Sequence, residues 1–404
     1  MKQYDFLILG AGIFGITTAI ELRKKKYSVG IINPNTIPHP LAESTDISKI
    51  IRMQYGTDEE YMDMAAECII KWREWNEFFR DTLYHETGFL LLSKSNFDSG
   101  KKSFEAASYF NLLKKGFKPE RINPADLVKR FPAFNEKQYE DGFYHAVGGF
   151  AESARVVETL TKYAIQLGAT VHEGQTAEEI IIVNNKVEGV KTREGKIFKA
   201  GQVIVCAGNL APFLVPGLKS CMKITGHPVF HIKPKQEDLF KFPAMPVFAA
   251  DISNTGWYGF PLHPKEKVVK IANHGTGVQI NDPEKDERIV YKKDIEQMRE
   301  FLKTSIPALA NDPVVYTRLC CYTDTLDGHF WIDNHPEIKG LTVGSGGSGH
   351  AFKMGPLLGE MIATVAQSDT HKWSARYRWR TYTETTSIKE EARFTEKNNP
   401  SAVK

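Results

Sequence analysis

Glycines 10, 12 and 15, in Leu9-Gly-Ala-Gly-Ile-Phe-Gly15, have the spacing G-x-G-x-x-G, and that spacing serves the binding of a pyrophosphate. Gly10 permits a tight turn, Gly12 lets the phosphates approach the backbone, and Gly15 lets the helix that starts near Ile13 pack on the preceding strand. The N–H groups at that helix start, Ile13 and Phe14, face the anion. Enzymes that hold NAD this way usually end the second strand on an acid for the ribose hydroxyls, and here that place is Asn33. A second glycine-rich loop, Gly344-Ser-Gly-Gly-Ser-Gly349, lies between a strand and a helix near the other end of the chain. An NAD half-site has no need of it. A flavin does, because its reduced ring carries negative charge at N1 and O2 that a helix N-terminus and close backbone amides stabilise. The expected cofactor is FAD, with Gly10 to Gly15 at its ADP half. Cys320, in Arg318-Leu-Cys-Cys-Tyr-Thr323, is either a small apolar filler in a buried strand or a nucleophile. As a thiolate in a cationic setting it could form a thioether to the flavin's dimethylbenzene edge.

The elements that must position these residues read as α/β. The helix after the first turn directs Ala19, Ile20 and Leu22 inward, and a strand Ser28 to Ile32 follows. Apolar side chains at helical spacing mark residues 58 to 81, with shorter helices near 101 to 115 and 124 to 130. A helix Ser153 to Leu167 leads to a strand Ala169 to His172, and Glu179 to Ala207 reads as a meander returning to the first sheet, with turns at Asn184-Asn185 and Glu194-Gly195. Residues 222 to 273 are again β-rich and are followed by a helix near Lys292 to Leu302. Strands at Tyr316 to Tyr322, His329 to Ile332 and Leu341 to Val343, then a helix from about Pro356 to Ala366, complete the first unit. The expected division is a discontinuous Rossmann-type FAD-binding domain (1–85, 145–220 and 320–380) and a β-sheet-rich substrate domain (86–144 and 221–319). Residues 383–404 form a polar tail that should fray.

Composition narrows the function classes. Lys plus Arg 52 against Asp plus Glu 49 gives a formal charge of +3, which calls for neither nucleic acid nor an anionic membrane as partner. The longest apolar runs are too short to span a bilayer, and the start of the chain has no signal-peptide core. Five cysteines without a C-x-x-C spacing suit a reducing compartment, exclude a zinc framework and leave no metal site expected. Residues 401 to 404 show no peroxisomal ending, and a cytoplasmic enzyme is expected.

The stretch Cys320-Cys-Tyr-Thr-Asp-Thr-Leu-Asp-Gly-His-Phe-Trp-Ile-Asp333, then Ser348-Gly-His-Ala-Phe-Lys353, with Ile50-Ile-Arg-Met-Gln-Tyr55 and the first glycine turn, resembles the monomeric sarcosine oxidase family of flavin amine oxidases. That family includes N-methyltryptophan, pipecolate and fructosyl amino acid oxidases and has a D-amino-acid-oxidase-like (glucose-methanol type) architecture. The likeness runs in order from residue 4 to about 367. It implies that Cys320, rather than Cys321, holds FAD covalently. It implies that Arg52 and Lys353 bind the substrate carboxylate and that Lys270 stands near flavin N5 and promotes reaction with dioxygen. His274, Tyr258 and Tyr322 would line the amine side. It further assigns Ser44, Lys49, Ala177, Ala207, Gly208, Gly347, Gly349, His350 and Lys353 to cofactor contacts, beside Gly10, Gly12, Ile13, Phe14, Gly15, Asn33 and Cys320.

Some positions depart from the sarcosine pattern. Lys49 stands where those enzymes tend to have Arg, and Arg378-Trp-Arg380 resembles the fructosyl amino acid branch; both point to a larger substrate. Asn273, where some of that branch use an acid, and Cys321-Tyr322 point to the small-amine branch, and Ala351 replaces a glycine. The expected activity is oxidation of the C–N bond of an N-substituted α-amino acid to an imine, which hydrolyses, with dioxygen leaving as hydrogen peroxide. The alternatives are a fructosyl amino acid oxidase and a dehydrogenase that passes electrons to a partner.

Overall fold

The structure is a computed structural model that describes residues 3–100, 102–383, 386 and 391–393. Strand Gln3–Leu9 lies at the centre of an eight-stranded sheet, parallel to Val29–Asn33 on one side and to Ile197–Val205 on the other. From Phe6 onward its side chains alternate between two cores, and Tyr4 joins that of Leu7 and Leu9. Phe6 and Ile8 join the helices Ile13–Lys24 and Gly355–Ala366, while Tyr4, Leu7 and Leu9 pack with Val203, Val205 and Trp331. Burial on both faces is why this strand reads as a nearly continuous apolar run. The meander Ala177–Val183, Lys186–Thr192, Ile197–Val205 returns to this sheet as expected, turning on Asn184 and Asn185, both with positive φ.

A nine-stranded sheet forms the second layer. Its spine is the antiparallel pair Met222–Ile232 and Val314–Thr325, matched from Met222↔Thr325 to Ile232↔Val314. Helix Lys292–Ser305 covers one face through Met298, Phe301 and Leu302. The strand carrying Cys320 therefore belongs wholly to this second sheet, whereas the expected boundary grouped 320 onward with the first. The apolar pattern runs through position 320 without a break, so nothing local marks a change of layer.

Sequence reading misses a three-stranded sheet of Lys49–Ile51, Gly149–Ala151 and Tyr84–His85, whose strands are too short to show a period of two. It sets the position of Lys49 and of the Arg52 that follows. The expected fraying tail also needs correction where it is described, because Ala392 and Arg393 are buried. The rest of that expectation lies outside the described residues. Among the described residues no helix is long and apolar enough to cross a membrane, and no His, Cys, Asp and Glu cluster could hold a metal ion.

Candidate active site

A cavity of about 390 Å³ runs from the first glycine turn to the second glycine loop. Gly10, Gly12, Ile13 and Phe14 border one end, Gly347 and Gly349 the other. Asn33, Ser44, Lys49, Ala177, Ala207 and Gly208 line the walls between. Gly15 does not reach the cavity. A Cβ there would stand 1.9 Å from the Gly10 carbonyl oxygen, so its absence lets the helix close on the turn. Gly10 itself has φ +96°, and a Cβ would meet Cys206 O at 2.5 Å.

Two side chains brace the turn. Ile13 N–H donates to Ser44 Oγ at 3.0 Å, and Ala11 N–H donates to Asn33 Oδ1 at 3.2 Å. Asn33 Nδ2 in turn donates to the Asn35 carbonyl at 2.7 Å. A carboxylate at 33 could accept from Ala11 but would face that carbonyl with no proton to give, which accounts for the amide.

Cys320 and Cys321 point to opposite faces of their strand. Cys320 clusters with Tyr322, Val229 and Ala272; Cys321 lies among Ile224, Ile280 and Leu319. Burial pushes the Cys321 thiol up to about 11. Cys320 is off the cavity wall itself, but Lys49, which lines that wall, brings its ammonium to 3.5 Å from the Cys320 sulfur.

Lys270, fully buried, donates to Asp46 Oδ2 and to the Ser48 carbonyl, each at 2.6 Å. Burial pulls its ammonium down, Asp46 opposes that and Lys49 adds to it, leaving it at about 8. Burial raises the Asp46 carboxyl, but Lys270, His231, Lys49 and Arg318 together hold it well below the usual range. The pair is ionic at neutral pH. A lysine is charged below its pKa, so any step that uses this charge should hold below about pH 8 and weaken as the pH rises through it. Asp46→Asn removes the stabilising anion and should move that midpoint to lower pH. Mixing reduced enzyme with dioxygen across this range measures both effects.

Arg52 and Lys353 converge on one ring. The Arg52 guanidinium lies 4.9 Å and the Lys353 ammonium 5.3 Å from the centre of Tyr55, and Lys353 Nζ is 3.1 Å from the Tyr55 hydroxyl. Both cations are buried, and Phe104 covers Arg52 at 5.6 Å. His350, expected at the cofactor, instead belongs to this group: Nδ1 is 3.1 Å from the Tyr55 hydroxyl and Nε2 is 3.0 Å from the Gly328 carbonyl. Tyr322 stacks on His227 at 4.0 Å, with His274 at 5.9 Å and Tyr258 in the same apolar cluster.

The profile of the family described as DAO, FAD dependent oxidoreductase, matches residues 5–365. The chain belongs to this family. L-saccharopine oxidase of Schizosaccharomyces pombe is 30% identical to this FAD dependent oxidoreductase, with 93% of this chain and 92% of that protein covered. Peroxisomal sarcosine oxidase of Mus musculus is 27% identical, with 89% and 91% covered. Among solved structures, fructosamine oxidase (Amadoriase II) from Aspergillus fumigatus superposes with a TM-score of 0.80 over 98% of this chain and 95% of its own, at 23% identity, a likeness of fold alone.

Sequence reading of this FAD dependent oxidoreductase passes over four residues that shape its site. Asp46 lies three residues before Lys49 and Tyr55 ends the Ile50-to-Tyr55 stretch, but only their partners Lys270 and Lys353, far along the chain, reveal what they do. His227 is a strand histidine without a local signal. Arg393 lies beyond the matched segment. It is fully buried, pairs with Asp324 through two hydrogen bonds of 2.7 and 3.0 Å, and reaches His227 Nε2 at 3.1 Å. Arg380, by contrast, grips Asp327 with two bonds and covers Trp331, and Asn273 donates to the Thr255 carbonyl. Arg380 fastens the late segment to the Asp327 turn.

Proposed function

We propose that this FAD dependent oxidoreductase oxidises the C–N bond of an N-substituted α-amino acid with dioxygen. The observation that carries this reading is the convergence of Arg52 and Lys353 on Tyr55 beside the second glycine loop. Two buried cations around an aromatic wall suit one carboxylate, held by charge-assisted hydrogen bonds in a site that sheds water. The names of the relatives above, saccharopine and sarcosine oxidase, both denote N-substituted amino acids and support the same class.

FAD, when bound, supplies the redox chemistry by taking two electrons from the C–N bond and giving them to dioxygen. The chain's own residues bind, orient and stabilise charge. Arg52 and Lys353 fix the carboxylate and so the position of the neighbouring carbon and nitrogen. Tyr258, Tyr322 and His274 wall the amine side. Lys270 offers a positive charge to the anion that dioxygen becomes on its way to hydrogen peroxide. The imine product hydrolyses in water. Lys49 beside Cys320 supports a thioether tether between that sulfur and the flavin. Its cysteines, all free, fit a cytoplasmic setting.

The test is a peroxide-coupled screen over sarcosine, larger N-methyl amino acids, pipecolate, proline-like imino acids, fructosyl amino acids and L-saccharopine. Peroxide from at least one secondary amine is expected. Bleaching of the flavin without peroxide would favour a dehydrogenase, and no bleaching by any of them would reject the reading. Acid precipitation tests the tether: the pellet should stay yellow and turn white in Cys320→Ser.

A further inference from the structure

The segment between Asn33 and Lys49 carries an acid into the cofactor cavity. Glu43 lines it, with Oε2 lying 3.6 Å from where a Cβ on Gly347 would stand. Oε1 is 2.5 Å from Thr323 Oγ1, and the same hydroxyl oxygen is 2.8 Å from Asn209 Oδ1. A hydroxyl has one proton to give, yet this one meets two acceptor oxygens. A proton on Glu43 resolves the conflict. The acid donates to Thr323, Thr323 donates to Asn209 Oδ1, and the Asn209 N–H groups, on a residue that also lines the cavity, are left for a ligand. An ionised Glu43 reverses the chain. Thr323 then donates to the carboxylate, Asn209 loses its donor, and a negative charge stands in the cavity that must take a doubly charged pyrophosphate.

The surrounding charges are mixed. Asp324, on the strand of Thr323, disfavours ionisation of Glu43, and Lys49 favours it. Asp324 is itself held by Arg393, and Arg318 is committed to the carbonyls of Ala42 and Thr45 on either side of the Glu43 segment. Arg288 and His39 line the same cavity. Burial is the largest influence and, with these neighbours, brings the Glu43 carboxyl up to about 7.

We propose that Glu43 is a proton-linked positioning residue for the cofactor: it is neutral when FAD is bound, acts through Thr323 and Asn209, and takes one proton from solvent as FAD enters. The inference concerns the cofactor and not the amine substrate, so it stands or falls independently of the reading above.

The experiment titrates apo-Cys320→Ser, in which exchange is reversible, with FAD between about pH 6 and pH 9 and follows flavin fluorescence. FAD changes none of its own charges across this range. Kd is expected to be constant at the acid end and to rise by about tenfold per pH unit above the Glu43 midpoint, the slope of a one-proton linkage. Glu43→Gln in the same background keeps a side-chain donor to Thr323 and should keep the low-pH Kd throughout. Thr323→Val breaks the relay and should weaken binding at the acid end. Lys270 loses its charge near the same pH, and Glu43→Gln, which leaves Lys270 in place, separates the two. A parent Kd that does not change with pH, as a rotated Asn209 amide would give, or a Glu43→Gln variant with the parent's slope, overturns the proposal.

Discussion

Arg393→Met is expected to destabilise the fold by about 3–5 kcal/mol, the cost of leaving one partner of a buried ion pair without the other. Asp324 and Arg393 are both fully buried, and the guanidinium also reaches the Gly275 carbonyl at 3.1 Å. Removing it leaves the Asp324 carboxylate, among the described residues, with the Thr225 hydroxyl at 2.5 Å as its one remaining side-chain donor. Methionine keeps the stem and the apolar contacts, so the loss reports charge more than volume. Adding Asp324→Asn to Arg393→Met removes both charges and should recover most of the stability. Chemical denaturation of the parent and the two variants measures this. A single variant as stable as the parent would show that the pair contributes nothing net. Since His227, which Arg393 contacts, stacks on Tyr322, the single variant should also turn over more slowly.

Arg52→Met and Lys353→Met should each lower kcat/KM for an amino acid substrate by about 10- to 150-fold, the value of one charge-assisted hydrogen bond of about 1.5–3 kcal/mol. The double variant should lose less than the product of the two factors, because both cations act on one carboxylate. The loss should fall mainly in KM for a small substrate and extend to kcat where the carboxylate sets the orientation of the reacting carbon. Replacing the substrate carboxylate by its amide should cost the parent enzyme far more than it costs the double variant. Equal sensitivity in both enzymes would place the carboxylate elsewhere.

The glycine loops were legible because their signal is local. Gly10 needs a positive φ and Gly15 needs a missing Cβ, and both demands follow from consecutive residues in a strand, a turn and a helix. Strand alternation is local in the same way, and it puts Cys320, Tyr322 and Asp324 on one face and Cys321 on the other. The resemblance of the 320–333 and 348–353 stretches carried the class of cofactor. The short Lys49–Ile51 sheet and the burial of Ala392 and Arg393 left no such trace, since three-residue strands and a charged tail have no period to read.

From the sequence alone came the FAD-binding frame and, through its resemblance, the candidate cations at 52, 270 and 353. The tertiary structure alone decided which charges are opposed and which converge. Lys270 meets Asp46 across 224 residues, Lys353 meets Tyr55 across 298, and Arg393 meets Asp324 across 69. The physical reason is that a charge's influence depends on its distance through space and on how far water is excluded, and neither quantity is a function of spacing along the chain.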